Sequence, residues 1–117
     1  MIRLDGKVAI VTGGAQGVGG GITRCLARSG AKVLIADIDV ETAGNMAKQL
    51  NESGYESVSL RVDVNSFADL KQMVEVAMSE WGRLDILVNN AYNSSEAQKG
   101  GVLEVSEDQW QKDINSL

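Results

Sequence analysis

The chain has no histidine, no proline and only one cysteine, Cys25. Without histidine it cannot form a Ser-His-Asp triad, and a single cysteine without histidine cannot supply a zinc site of the Cys/His type. A lone cysteine also cannot form a disulfide within the chain. Because Cys25 falls within a helical pattern, we predict that it is a small core residue.

Positive charge is also scarce, with 11 basic against 16 acidic residues and a net charge of −5. An acidic chain without a basic block is poorly suited to bind nucleic acid or an anionic membrane surface. We therefore expect neither partner. An anionic small molecule would have to be held by local backbone donors.

Long hydrophobic runs are a third absence. No stretch approaches the roughly 20 apolar residues that a membrane helix needs, and Val8–Val11 is too short for the apolar core of a signal peptide. The hydrophobic content of 44% is nevertheless that of a globular domain. We expect one soluble, cytoplasmic domain over residues 1–117.

The sequence alternates short apolar runs with longer segments of helical period. The predicted strands are Lys7–Val11, Lys32–Ala36, Ser57–Val62 and Asp85–Val88, and the predicted helices cover residues 17–29, 40–52 and 67–81. A loop over residues 92–101 and the start of another helix at Ser106 follow. This alternation predicts right-handed βαβ crossovers and a parallel sheet of strand order 3-2-1-4, with helices on both faces. The expected fold class is α/β, a truncated Rossmann-like doubly wound sheet.

The first strand leads directly into a glycine-containing loop, Thr12–Gly19, which opens the first helix. Glycine lets the backbone turn tightly and approach a pyrophosphate, and a helix N-terminus offers free N–H groups and partial positive charge. A position between an apolar strand and an apolar-striped helix is the one that phosphate binding requires. This mechanism does not explain Gly20 and Gly21, which cost the helix roughly 1 kcal/mol each relative to Ala.

Asp37 comes directly after the second strand. An acidic side chain at that place accepts hydrogen bonds from the adenosine ribose hydroxyls and repels a 2′-phosphate. Ala15, Gln16 and Ile38 offer no positive charge that could hold such a phosphate. The sequence therefore favours NAD over NADP as the cofactor.

Three motifs in this order resemble those of the short-chain dehydrogenase/reductase family. Thr12–Gly19 matches the family's Thr-Gly-x-x-x-Gly-x-Gly in spacing and identity, and Asp63-Val64 is similar to its adenine-contacting Asp-Val pair. Asp85–Ala91 resembles its fourth strand with the Asn-Asn-Ala-Gly signature. The resemblance extends over essentially the whole chain. It implies the N-terminal, cofactor-binding half of an NAD-dependent oxidoreductase that acts on alcohols or ketones, with the catalytic half absent.

The resemblance also assigns parts of the cofactor to residues. The pyrophosphate and its ribose are surrounded by Gly13, Gln16, Gly17, Val18 and Gly19. Asp37 binds the adenosine ribose, and Asp63 and Val64 bind the adenine. Asn89 and Ala91 line the cofactor cleft, and Asn89 also ties the fourth strand to its neighbour. The complete expected cofactor-binding set is Thr12, Gly13, Ala15, Gln16, Gly17, Val18, Gly19, Asp37, Ile38, Asp63, Val64, Asn89, Asn90 and Ala91.

Two positions depart from the family pattern. Tyr92 stands where the family has the glycine of Asn-Asn-Ala-Gly, so its side chain would crowd or cover the cofactor. Counted from Trp110, the family's catalytic asparagine falls on Leu117. Asn115 lies two residues earlier and is only a candidate, and no other catalytic residue is assigned.

The family's remaining catalytic residues are a Ser and a Tyr-x-x-x-Lys pair on one helix. The Lys lies one turn from the Tyr, so its charge lowers the Tyr pKa and allows proton transfer. Tyr55 and Tyr92 are followed four residues later by Ser59 and Glu96, so no such pair occurs. We predict that this chain alone binds NAD weakly and has no dehydrogenase activity.

The fourth strand would leave an apolar sheet edge at Ile86–Val88, a recognised route to self-association. We therefore expect a homo-oligomer, or pairing with a missing C-terminal half. Two other functions stay open at this point. One is a non-catalytic nucleotide-binding or self-associating protein, and the other is an S-adenosylmethionine-dependent methyltransferase, against which the spacing of the glycine motif argues.

Overall fold

A computed structural model describes residues 3–91, which form four strands and three helices in alternation. The strands are β1 Val8–Thr12, β2 Lys32–Asp37, β3 Ser57–Arg61 and β4 Ile86–Asn89. The helices are α1 Gly17–Arg28, α2 Val40–Glu52 and α3 Phe67–Trp81. The loop expected over residues 92–101 and the helix expected from Ser106 lie outside the described residues.

The four strands form one parallel sheet in the order β3-β2-β1-β4. In the middle of the sheet, Ile10 of β1 lies beside Leu34 of β2 on one side and Leu87 of β4 on the other. Sheet order and direction are those predicted from the alternating pattern. The predicted fold class is therefore confirmed.

Two hydrophobic cores lie on opposite faces of the sheet. Val33 and Ile35 of β2 belong to the core beneath α1 and α2, whereas Leu34 and Ala36 belong to the core beneath α3. All five residues of β1 are buried. A strand that is covered on both faces needs apolar side chains at successive positions, which explains the unbroken runs in β1 and β2.

Three strands extend one residue further toward the carboxyl edge than predicted, and each adds a polar residue: Thr12, Asp37 and Asn89. The sequence prediction ended each strand with its apolar run. Backbone pairing continues beyond that run, because Thr12 still lies in register with Ala36 and with Asn89. Polar side chains are consequently fixed by the sheet itself at this edge.

The prediction that Cys25 is a core residue is wrong, because Cys25 is exposed on α1. The face that α1 turns toward the sheet is made of small residues, and its buried members are Gly19, Gly20, Thr23 and Ala27. Their spacing follows the helical period. The larger apolar residues Ile22 and Leu26 lie beside this face and are only partly buried.

None of the helices within residues 3–91 has the length and apolar character to cross a membrane. Within the same range, no group of three or more His, Cys, Asp or Glu side chains is arranged to hold a metal ion.

Asp85 joins β1 and β4 at the amino edge of the sheet. Its Oδ2 accepts a hydrogen bond from the backbone N–H of Val8 at 2.9 Å, and its two oxygens accept from Arg83 at 2.7 and 2.8 Å. The Arg83 guanidinium, followed by the Val8 N–H, holds the pKa of the Asp85 carboxyl below its ordinary value. The folded state therefore favours the ionised form.

Stability should consequently depend on pH through Asp85. Its contribution is fully present above the unfolded pKa of about 3.9 and is lost as the pH falls through the lower folded value. We expect Asp85→Asn to be less stable than the wild type at pH 7, with a difference that shrinks below about pH 4, in urea denaturation at several pH values. Asp5→Asn, which removes an exposed pair with Arg3, is the control and should change stability by less than about 0.5 kcal/mol. A constant difference between the wild type and Asp85→Asn at all pH values would contradict this account.

Gly21 offers a second test of the fold. It lies in α1 with open space around the position of a Cβ, so Gly21→Ala should stabilise the protein by about 0.5–1 kcal/mol. The matched variant Gly19→Ala should destabilise it, because its Cβ would overlap the carbonyl oxygen of Gly13. Urea denaturation measures the free energy of unfolding of both variants. Equal changes in this free energy for the two substitutions would contradict the packing described.

Candidate functional site

The glycine loop and the polar strand ends meet at the carboxyl edge of the sheet. Thr12 lies between Ala36 and Asn89 in the sheet, and Asp37 lies beside Arg61 at the end of β3. The connections from β1 lead to β2 and β3 on one side, whereas β4 lies on the other. This reversal between β1 and β4 is the type of position where open α/β sheets bind ligands.

The turn from β1 into α1 requires glycine for two different reasons, which Gly17 and Gly19 illustrate. Gly17 has a φ of +62°, a left-handed conformation that other residues rarely adopt. At Gly19, a Cβ would overlap the Gly13 carbonyl oxygen and collide with the Asn90 side chain. The loop therefore packs directly on the first turn of α1.

The N-termini of α2 and α3 are closed by side chains. The Asp39 carboxylate accepts a hydrogen bond from the Thr42 N–H at 3.1 Å, and the Ser66 hydroxyl oxygen accepts one from the Asp69 N–H at 3.2 Å. Both helices also carry an acidic residue in their first turn. These helix starts are neutralised within the protein itself.

The N-terminus of α1 differs from both. Gln16 precedes the helix and makes no side-chain capping bond, and the first turn contains no acidic residue. The N–H groups of Gly17, Val18 and Gly19 have no acceptor among residues 3–91. Together with the partial positive charge of a helix start, they form a site suited to an anion.

The Thr12 hydroxyl connects β1 to the turn after β4. Thr12 is 2% exposed, and its Oγ1 accepts hydrogen bonds from the backbone N–H groups of Asn90 at 3.0 Å and Ala91 at 3.1 Å. The same hydroxyl donates toward the Val88 carbonyl oxygen at 3.3 Å and Asn89 Oδ1 at 3.2 Å. One side chain therefore fixes the wall of the crevice on the β4 side.

The two asparagines after β4 have different partners. Asn89 bonds to Thr12 and so makes the contact with the neighbouring strand that the family resemblance implies. Asn90 Nδ2 donates to the Gly13 carbonyl oxygen at 3.2 Å. Asn90 thus supports the glycine loop, and its amide nitrogen points at protein backbone.

Asp37 lies at the end of β2 and is 9% exposed. Its Oδ2 accepts a hydrogen bond from the Ala15 N–H at 3.2 Å, and its Oδ1 accepts one from the Asp39 N–H at 3.0 Å. Each carboxylate oxygen can accept a further bond. The next residue, Ile38, is exposed, as is Val18 at the start of α1.

Asp63 and Val64 lie in the turn between β3 and α3, and both are partly buried. Asp63 Oδ1 accepts a hydrogen bond from the Asn65 N–H at 2.9 Å, and the Asp63 N–H donates to Asp69 Oδ2 at 3.0 Å. The Asp63 carboxylate is thus partly used by its own turn. Asp69 is a supporting residue that the sequence analysis did not identify.

A family model described as short chain dehydrogenase matches residues 7–116. The chain belongs to this family. Membership favours the dehydrogenase interpretation of the glycine loop over the methyltransferase one.

Relatives within the family include 7alpha-hydroxysteroid dehydrogenase of Escherichia coli strain K12, which is 38% identical over 90 residues. Borneol dehydrogenase of Lavandula x intermedia is 45% identical over 89 residues, and oxidoreductase UcpA of Salmonella typhimurium is 39% identical over 108. These alignments cover 77%, 76% and 92% of this chain, but 35%, 32% and 40% of the respective relatives. The chain therefore spans well under half the length of these proteins.

Solved structures agree with the sequence relatives. A hydroxysteroid dehydrogenase from Escherichia coli superimposes with a TM-score of 0.75 at 37% identity, covering 78% of this chain and 39% of that one. A 7α-hydroxysteroid dehydrogenase complexed with NADH and 7-oxo glycochenodeoxycholic acid gives the same TM-score and identity, covering 78% of this chain and 36% of that one. The fold at the site is thus that of known family members.

Sequence reasoning missed Thr23, which is fully buried and bonds to the glycine loop. Its only sequence signal is a hydroxyl on the sheet-facing side of α1, and a hydroxyl buried there needs a partner. Two expected positions, Tyr92 and Asn115, lie outside the described residues.

The Thr12 hydroxyl can be tested by two substitutions. Thr12→Val keeps the shape but leaves the N–H groups of Asn90 and Ala91 without their acceptor, so stability should fall by about 1–3 kcal/mol in urea denaturation. Thr12→Ser retains the hydroxyl, so its loss of stability should be smaller than that of Thr12→Val. The account would be contradicted if the Ser variant were the less stable of the two.

Proposed function

We propose that this chain binds NAD(H) along the carboxyl edge of its sheet, as the cofactor-binding part of an oxidoreductase that transfers hydride to or from an alcohol or ketone. The observation that carries the proposal is the uncapped start of α1 at the switch point between β1 and β4. Two other helices of the same sheet are capped by side chains. The α1 start is therefore the place where an external anion would complete the backbone hydrogen bonding.

The pyrophosphate is assigned to the N–H groups of Gly17, Val18 and Gly19. A net charge of −5 gives the protein no general attraction for an anion, so directional donors and the helix dipole must supply it. Gly19 supports this assignment because it lets the loop lie against the helix without an intervening side chain. When bound, the cofactor supplies the hydride chemistry.

The adenosine portion is assigned to the ends of β2 and β3. Asp37 retains acceptor capacity for the ribose hydroxyls and would repel a 2′-phosphate. Asp63 and Val64 lie one strand further along the same edge, where the adenine would follow. The strand order thus matches the order of groups in an extended dinucleotide, with Asn89 and Ala91 on the nicotinamide side.

The comparisons support this assignment by analogy. The relatives include proteins named for oxidation of a hydroxysteroid and of borneol, and one structural neighbour was solved with NADH. The relatives are longer than this chain, and Tyr-x-x-x-Lys does not occur in its 117 residues. The assignment of residues 1–117 as the cofactor-binding half and the activity of the whole enzyme are therefore parts of this proposal.

Association of chains belongs to the same proposal. Within residues 3–91, β4 pairs only with β1, and Ile86 and Leu87 are partly buried. An unpaired apolar edge favours pairing with another strand. A homo-oligomer, or contact with a C-terminal half, would supply that strand, and a cytoplasmic location remains a prediction.

The cofactor preference can be tested with Asp37→Asn, by NADH and NADPH fluorescence titrations that need no turnover. The wild type should prefer NADH, and the variant should lose about tenfold of that preference, because it lacks the charge that repels the 2′-phosphate. Asp39→Asn, two residues away and still able to cap α2, should change either affinity by no more than about twofold. Absence of NADH binding by the folded wild type, or an unchanged preference in Asp37→Asn, would contradict the proposal.

A further inference from the structure

The peptide unit between Gly14 and Ala15 is held at both of its polar ends. Its carbonyl oxygen, that of Gly14, accepts a hydrogen bond from the Thr23 hydroxyl at 2.9 Å. Its N–H group, that of Ala15, donates to Asp37 Oδ2 at 3.2 Å. All three residues, Ala15, Thr23 and Asp37, are buried, with exposed fractions of 4%, 0% and 9%. Thr23 lies in α1 and Asp37 in β2, so hydrogen bonds from two separate elements fix this one peptide group.

The contact between Thr23 and Gly14 is close as well as polar. A Cβ built on Gly14 would lie 2.8 Å from Thr23 Oγ1 and 2.9 Å from the Val11 carbonyl oxygen. The hydroxyl therefore reaches the loop only because residue 14 is glycine. The hydroxyl of a threonine inside a helix commonly donates a hydrogen bond to a carbonyl oxygen of the preceding turn. The Thr23 hydroxyl instead donates to the Gly14 carbonyl oxygen, which lies outside the helix.

We infer that Thr23 and Asp37 act together as a clamp that fixes the Gly14–Ala15 peptide and thereby sets the loop for the pyrophosphate. Thr23 is a positioning residue, because it acts through Gly14. The inference rests on the proposed function, since it concerns the same binding site. It adds a second role for Asp37, which holds the loop as well as selecting the ribose.

The clamp uses one backbone donor of the loop, and the end of β2 uses two more. The N–H groups of Gly13 and Gly14 donate to the Ala36 carbonyl oxygen, at 2.7 and 3.4 Å, and that of Ala15 donates to Asp37. Three N–H groups of the loop before α1 are thus used within the protein. The N–H groups of Gly17, Val18 and Gly19 at the start of α1 are available to the phosphate. The Ala15 N–H does not bind the phosphate itself, but its bond to Asp37 fixes the position of the loop.

Both residues of the clamp affect the binding of NADH and of NADPH. Because Asp37 Oδ2 accepts the hydrogen bond from the Ala15 N–H, a substitution that removes this oxygen should weaken the binding of every dinucleotide. This loss is separate from any effect of the substitution on the 2′-phosphate of NADPH. Removal of the Thr23 hydroxyl should lower the affinities for NADH and NADPH by the same factor, because both cofactors carry the same pyrophosphate.

The test uses Thr23→Val, which keeps the side-chain shape without the hydroxyl, and Thr23→Ser, which keeps the hydroxyl. We expect the NADH dissociation constant to rise by about tenfold in Thr23→Val, with an equal factor for NADPH, since the Gly14 carbonyl loses its donor in a buried position. Thr23→Ser should remain within about threefold of the wild type. A folded Thr23→Val that binds NADH as tightly as the wild type would overturn the clamp.

A second measurement does not depend on the cofactor. In the unligated wild type and in Thr23→Ser, the Ala15 amide should exchange with solvent deuterium as slowly as sheet amides, as measured by NMR. Rapid exchange of that amide in the folded protein would overturn the clamp even if Thr23→Val failed to fold. If the wild type showed a protected Ala15 amide but no NADH binding, the proposed function would fail and the clamp would stand.

Discussion

The structure depends on how the backbone between β1 and α1 is held at the carboxyl edge of the sheet. Apolar packing brings β1 into the centre of the sheet, but it does not determine where the next four peptide groups point. That is done by hydrogen bonds from three sides: Thr23 of α1, Asp37 of β2 and Asn90 after β4. Their joint effect is a loop held against the sheet, with the free N–H groups of Gly17, Val18 and Gly19 directly after it. A preorganised set of donors binds an anion without an ordering cost at the moment of binding.

Side-chain size contributes to this arrangement as well as polarity. The sheet-facing side of α1 carries Gly20, Thr23 and Ala27, so the helix can approach the sheet closely. This brings a threonine hydroxyl within hydrogen-bonding distance of the loop. Gly19 permits the contact at the first turn, where any side chain would displace the loop. The glycines and the small helix face are thus one arrangement, and the larger apolar residues of α1 lie at its margin.

Much of this could be predicted from the sequence, because periodicity reports which residues are covered. Unbroken apolar runs identified β1 and β2 as central strands, and the alternation of elements gave the sheet order. The motif residues were placed at strand ends, where the structure has them. Periodicity failed for Cys25, because an apolar stripe read from hydropathy was rotated relative to the small-residue face that packs on the sheet.

The partners of individual polar groups could not be predicted. Asn90 and Gly13 are 77 positions apart, and no local pattern says that this asparagine turns toward the loop. The partner of Thr23 could not be predicted either, because a hydroxyl within a helix has a nearer acceptor available in the preceding turn. Such contacts depend on the exact separation of elements, which packing determines only in the folded state.

The central claim is that the first N–H groups of α1 hold the diphosphate of a dinucleotide. An NMR titration of the labelled chain with NADH, followed through the backbone amide signals, tests this most directly. The account predicts that the largest shifts occur at Gly17, Val18 and Gly19. A folded sample in which NADH leaves these three signals unmoved, or shifts only amides distant from the carboxyl edge of the sheet, would contradict it.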